Sequence, residues 1–428
     1  PSMRAARPAL PAAVEEALSR ATAKNPADRF ADIVAFAGAF RAAIASGAVG
    51  DEPVAPVDEL LPAAVNPYKG LLAFNEADAG LFYGREALTK QLIDRLSETG
   101  EHHRFLAVVG PSGSGKSSLV KAGLVPALRR GAIPGSENWF VLDMMPGPHP
   151  YEELETALLR IAVNPPASLL EQLQDGERGL LRAIRRALPP GDENQLLLII
   201  DQFEELFTLV ADREVAARFL DGLVAAVAYP RSPLRVVVTL RADFYDRPLL
   251  HPDLSELMQA RTEVVVPLGP DELVRAIERP AARAGVRVEP ELVAALVADV
   301  NEQPGALPLL QYTLSELFEE RADGRLTLDA YRRLGGISGA LTQRAEAVYT
   351  GLDETGQTAA RALFSRLVTL GEGVEDTRRR VLREELVGLG IKRLETGDSE
   401  IDGWSIAQSP NPPISSLQSP VSSVLDSF

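Results

Sequence analysis

The sequence contains no cysteine, so neither a disulfide framework nor a cysteine-ligated metal centre is open to it. Four histidines, at 102, 103, 149 and 251, are a poor supply for zinc. No apolar run reaches the roughly eighteen uncharged residues a membrane helix needs, and the start has no signal-peptide core, so the expected location is the cytoplasm, with no membrane partner. Positive charge is short as well. Forty-four Lys and Arg against sixty Asp and Glu give −16, which opposes non-specific attraction to nucleic acid or anionic membrane. What the chain does have is bulk: 428 residues, 46% of them hydrophobic, enough for roughly two to four domains with substantial cores.

Residues 110–118 read GPSGSGKSS, a G-x-x-x-x-G-K-[ST] match between the apolar run FLAVV at 105–109 and a helix-like stretch at 119–130. Strand, loop and helix are the context a phosphate loop requires. In that reading Gly110, Gly113 and Gly115 let the backbone turn so that its N–H groups face an anion. Pro111, Ser112, Ser114 and Ser118 complete the loop, and the helix adds the positive end of its dipole. Lys116 would reach the β and γ phosphates, and Ser117 would hold Mg²⁺. The bland alternative is a Gly/Ser-rich surface turn; the flanking elements favour a nucleotide.

A second landmark is LLLIID at 196–201, a buried parallel strand by composition whose Asp201 falls at the crevice end, within reach of Mg²⁺. Glu204 and Glu205 follow one turn on and could orient or deprotonate water; alternatively they begin a solvated helix. Another apolar run, 234–240, ends in Arg241, which either senses the γ-phosphate or pairs with Asp243. Gly84 and Arg85 precede the helical pattern 86–96, where a turn glycine can bring backbone near a planar base, though Phe82 and Tyr83 could equally be core. Pro308 starts a helix where its ring can pack on an adenine face, or is simply a first-turn proline.

The strand and helix units from 68 to 286 predict an α/β P-loop NTPase domain with a mostly parallel sheet. A helical domain (287–335) and a partial winged-helix domain (336–400) are expected after it, the latter with a helix from 377 to 390 and a short strand from 391 to 395. Residues 48–67 read as a proline-rich acidic linker and 401–428 as a Ser/Pro-rich tail without a face to bury, disordered or artefactual. The proline start, with Met only at position 3, fits a piece of a longer chain.

Two family resemblances follow from particular motifs. LPAAVEEALSRATAKNPADRFADIVAFAGAF, within 1–47, resembles the last two helices of a Ser/Thr protein kinase domain, with Arg29 at the family's structural arginine and none of the kinase catalytic segments accompanying it. NPYKGLLAFNEADAGLFYGRE, GPSGSGKSSLVKAGLVPAL, LLLIIDQFEELF, VVVTLRADFYDRP and QPGALPLLQYTL, in that order over residues 66 to about 395, resemble the nucleotide-binding module of STAND-type signalling NTPases, of a bacterial subgroup often linked to WD-type repeats. The resemblance implies ATP or ADP with Mg²⁺ as ligands and slow ATP hydrolysis that switches the protein between closed and open states. It also implies protein partners reached through regulated assembly, including a nucleotide-dependent homo-oligomer. It places Gly84 and Arg85 near the base, Lys116 and Ser117 on phosphate and Mg²⁺, and Asp201 as the second acidic element. Glu204 or Glu205 become water activators, Arg241 the first sensor arginine and Pro308 the proline near adenine. Without the resemblance, ATP is not separable from GTP, although no guanine-reading N-K-x-D element is present. Relatives carry a diphosphate-reading histidine in the winged region, whereas the last histidine here is His251. The alternatives are a non-catalytic nucleotide-binding scaffold and a DNA-binding regulator.

Overall fold

The computed structural model describes residues 20–23, 30, 65–162, 168–189, 194–302, 305–369 and 377–378. The chain divides into two units, Pro1–Leu60 and Leu61–Phe428. In the first, the Arg20 guanidinium stacks 4.5 Å from the centre of the Phe30 ring. Most of the kinase-like stretch, Arg29 included, lies outside the described residues, as do residues 48–64 and 401–428.

In the second unit the apolar runs become β1 (Phe105–Gly110), β2 (Phe140–Met144), β3 (Leu196–Ile200), β4 (Leu234–Arg241) and β5 (Thr262–Val264). They form one sheet in the order β2-β3-β4-β1-β5, with every neighbouring pair parallel. Continuous apolar composition is what such strands need, because helices cover both faces. The two-residue period of a strand then divides each run between two cores. Phe105, Ala107 and Val109, with Leu196, Leu198 and Ile200, join the core beneath the helices Pro150–Leu159, Gly179–Ala187, Arg213–Ala228 and Pro252–Ala260. Leu106, Val108, Leu197 and Ile199 face the other way, toward the Glu86–Ser97 helix and the helix that follows the loop at 110–115. At the sheet's edge the Val265 amide, just past β5, still donates to the Val109 carbonyl of β1 at 2.7 Å.

Phe219 shows how tightly the first core is filled: it is fully buried and meets Tyr151 edge to face at 5.3 Å between ring centres. Phe219→Ala is expected to cost about 3–5 kcal/mol through lost burial and the cavity left behind. A denaturant melt reads that cost directly, and a loss below about 1 kcal/mol would mean that the core collapses to fill the gap.

The helix after the loop is not the plain α-helix that its periodicity predicts. It runs Lys116–Ser118, widens into a π-helical stretch at Leu119–Leu124 and resumes at Val125–Arg129. Gly123 within it lies so close to the Glu86–Ser97 helix that an added Cβ would stand 2.7 Å from Thr89 Oγ1.

A third core, around Leu273, Ile277, Leu292, Leu314 and Phe318, belongs to a layer of helices that includes Pro270–Arg283, Pro290–Glu302, Leu307–Glu319 and Gly336–Gly351. A short parallel pair, Arg287–Val288 with Arg325–Leu326, stitches this layer together; runs of two residues leave no readable period in the sequence. The helix expected from 377 does not begin there. Thr377–Arg378 pairs antiparallel with Val368–Thr369, a pairing that suits the β-branched residues involved. Residues 379–400 lie outside the described residues, and no distinct winged-helix domain is delineated among those described. No described helix is long and apolar enough to cross a membrane.

Candidate functional site

The parallel sheet brings the carboxyl ends of β1, β3 and β4 to one edge, and the motif residues meet there. Gly110 ends β1 beside Arg241 in register. Its glycine character is a packing requirement, since a Cβ would sit 2.8 Å from the Val265 carbonyl oxygen. Gly113 and Gly115 carry positive φ, +71° and +86°, the left-handed turns that let the loop close over an anion. Pro111 and Ser112 are exposed at the tip, while Ser114 is buried and its hydroxyl has no hydrogen-bond partner. Ser118 Oγ accepts from the Phe74 amide at 3.2 Å, and both residues line the cavity described below.

The Lys116 ammonium folds into the loop, donating to the Gly110 and Pro111 carbonyls at 2.9 and 2.8 Å. Burial pulls its pKa below the usual lysine value, an effect that Glu204 and Asp201 oppose and Arg241 reinforces. Ser117 Oγ donates to Asp201 Oδ1 at 2.7 Å, so the two expected metal-holding groups are in direct contact. Asp201 is itself buried and also accepts from the Thr239 hydroxyl at 2.6 Å. Its second oxygen lies 3.2 Å from the Lys121 ammonium.

The two glutamates after β3 have different surroundings. Gln202, in the left-handed region at φ 54°, turns the chain, and its amide donates to Thr239 Oγ1 at 3.1 Å. A non-glycine residue there stores roughly 1–3 kcal/mol of strain, a feature that gathers at functional sites. Glu204 then comes back toward the loop, where its carboxylate accepts from the Arg241 amide at 3.3 Å. Burial pushes the Glu204 carboxyl above its ordinary pKa, against the pull of the Arg241 amide and of the charges on Lys116 and Arg241. Glu205 is buried and turned to the far side, accepting from the Gly147 amide at 3.0 Å. The Arg241 guanidinium pairs with Asp243 at 3.0 and 2.6 Å, which is the less functional of the two arrangements its sequence allowed.

Beside the loop lies a cavity of about 240 Å³. Leu72, Phe74, Tyr83 and Ala276 form part of an apolar wall, Pro308 and Gln311 close it from the helical layer, and Gly113–Ser118 supply the remaining side. Arg85 braces this arrangement: it is buried, donates to the Ser114 carbonyl at 3.0 Å and the Val266 carbonyl at 2.9 Å, and has its pKa lowered by burial. Gly84 does not line the cavity. Its positive φ and the 2.5 Å from an added Cβ to the Glu272 carbonyl oxygen make it a close-packing position against the Pro270–Arg283 helix. Pro308 reaches the loop itself, its Cδ 3.3 Å from where a Gly113 Cβ would be.

Sequence reading missed Lys121, Asp143 and Thr239, which complete the charged edge. Two signals were available. Lys121 follows Ser117 by four residues and so shares its helix face, and Thr239 is the lone hydroxyl in VVVTL. His251 lies elsewhere, capping the Pro252–Ala260 helix and contacting Asp221 at 2.8 Å.

Residues 67–401 match the family model described as Novel STAND NTPase 1. Among solved structures, the chain is similar to Drosophila ORC bound to DNA, at 17% identity over 79% of each chain with a TM-score of 0.40. It is similar also to the Aeropyrum pernix ORC2 protein in its ADPNP–ADP complexes, at 15% identity over 72% of this chain and 79% of that one, TM-score 0.41. A third is the S. cerevisiae Hsp104–casein complex in its extended conformation, at 15% identity over 66% of this chain and 46% of that one, TM-score 0.39. No match is found among the curated proteins.

Proposed function

The chain belongs to the Novel STAND NTPase 1 family, a nucleotide-binding P-loop NTPase module, and from that premise we propose that it is a slow Mg²⁺-dependent ATPase whose bound nucleotide sets how the helical layer packs on the sheet. The observation that carries this reading is the cavity beside the phosphate loop, whose walls come from both layers. A ligand lying there touches Pro308 and Gln311 as well as the loop, so its chemical state biases the contact between layers. Release of that contact would then govern assembly with protein partners or with further copies of the chain.

The residues present fit a Mg²⁺ nucleotide. The loop holds a buried hydroxyl without a partner at Ser114 and a glycine cradle at 113 and 115, and Ser117 and Asp201 supply the hard oxygen donors that Mg²⁺ takes. When bound, Mg²⁺ would neutralise phosphate charge. Lys116 would exchange its two loop carbonyls for phosphate oxygens. Arg241, beside Gly110 in register, would leave Asp243 for the charge that develops on the γ-phosphate. Glu204 would take the proton of the attacking water as a new O–P bond forms and the bond to ADP breaks; Glu205 would hold the 145–147 loop through Gly147. The Arg241–Asp243 pair favours a second reading, a nucleotide-stabilised scaffold without turnover, and phosphate release separates the two.

The raised pKa of Glu204 sets the pH dependence. A base works only when ionised, so kcat falls as pH drops through a midpoint above the ordinary glutamate value of about 4.3. Steady-state phosphate release followed from neutral pH down to the acid limit of the folded state is expected to show this limb in the native chain and in Glu205→Gln. A limb that persists in the residual turnover of Glu204→Gln would belong to another group.

A further inference from the structure

Lys121 holds two strand ends together in a way that bears on how metal enters. Its ammonium stands 3.2 Å from Asp201 Oδ2 at the end of β3 and 3.3 Å from Asp143 Oδ2 on the neighbouring β2. The other Asp201 oxygen is taken by Ser117 and Thr239, at 2.7 and 2.6 Å. The other Asp143 oxygen lies 3.3 Å from Arg160, in a pair that is half exposed and therefore weak. Each oxygen of the buried carboxylate thus has a protein donor, and among the described residues the cation at its second oxygen is Lys121.

A free divalent cation is captured by converging anionic oxygens that lack a resident positive charge. Asp143 stands in register with Ile199, two residues before Asp201 on the neighbouring parallel strand, and two carboxylates on that diagonal, both reached by one ammonium, would be the start of such a trap. We propose that Lys121 is a built-in counter-cation that keeps Asp143 and Asp201 from collecting free divalent metal, so that metal enters only together with nucleotide, at Ser117. This rests on the reading of Ser117 and Asp201 as the metal-holding pair. It makes Lys121 a positioning residue whose removal creates a metal site.

The test is a Mn²⁺ titration of the nucleotide-free full chain, followed by the loss of the free-ion electron paramagnetic resonance signal. The native chain and Lys121→Arg should take up no Mn²⁺ alone, and with ADP present the native chain should remove more free Mn²⁺ than the same ADP removes without protein. Lys121→Met should bind Mn²⁺ without nucleotide at least tenfold more tightly than the native chain, and adding Asp143→Asn should remove that gain. A melt checks that each variant is folded; if Lys121→Met is not, Lys121→Gln is judged by the same outcomes. No gain in the folded variant, or nucleotide-free uptake by the native chain equal to it, would overturn the proposal. Absence of uptake by the native chain with ADP would instead overturn the metal-holding pair on which it rests.

Discussion

Lys116→Ala is expected to weaken ATP and ADP binding by about 2–5 kcal/mol, some thirtyfold to several-thousandfold. The reason is geometric as well as electrostatic. Lys116 is buried at the floor of the loop, within reach of the charges on Glu204 and Asp201, and no other lysine among the described residues lines the cavity. Its ammonium also satisfies the Gly110 and Pro111 carbonyls, so the substitution removes a phosphate ligand and two bonds that hold the loop in shape, each of the latter worth about 1 kcal/mol. The sheet cores do not involve this side chain, so the fold should survive with a modestly lower melting temperature. Calorimetric titration with ADP reads the affinity. A change of less than about threefold would mean that the nucleotide does not use the loop.

The second large effect is on turnover. Glu204→Gln keeps an oxygen able to accept from the Arg241 amide, so binding should stay within a few-fold of native. It removes the base, and general-base catalysis is typically worth about 10²–10⁴-fold, so kcat should fall by that factor. Losing the charge also removes a partner of Lys116, which leaves the ammonium with Asp201 and Asp243 as its opposing charges. The expected signature is therefore ATP retained and phosphate release suppressed.

Most of the sheet was legible because its strands are buried on both faces, and a run such as LLLII leaves no ambiguity about where it must sit. The phosphate loop was legible because glycine spacing and the lysine are dictated by its backbone geometry. Side-chain direction was not. Glu204 and Glu205 are adjacent and chemically identical, and their divergence depends on the left-handed turn at Gln202, which no residue preference announces. The π-helical widening at Leu119–Leu124 was hidden for a related reason, because an apolar stripe of that length fits either helix. The close approach of Gly84 to the Glu272 carbonyl is not legible either, because it joins segments far apart in sequence. Pairing of Arg241 with Asp243 was one of two stated outcomes, and two residues of separation made it the shorter reach.

The measurement closest to the central claim is single-turnover release of phosphate from ATP pre-bound to the native chain, Glu204→Gln and Glu205→Gln, with Mg²⁺ present. The geometry predicts release in the native chain and, within about tenfold, in Glu205→Gln, whose amide oxygen can still accept from Gly147. It predicts none on the same timescale in Glu204→Gln. Release lost in Glu205→Gln but kept in Glu204→Gln would contradict the assignment of the base, and bound ATP unchanged in all three would make the nucleotide a structural ligand.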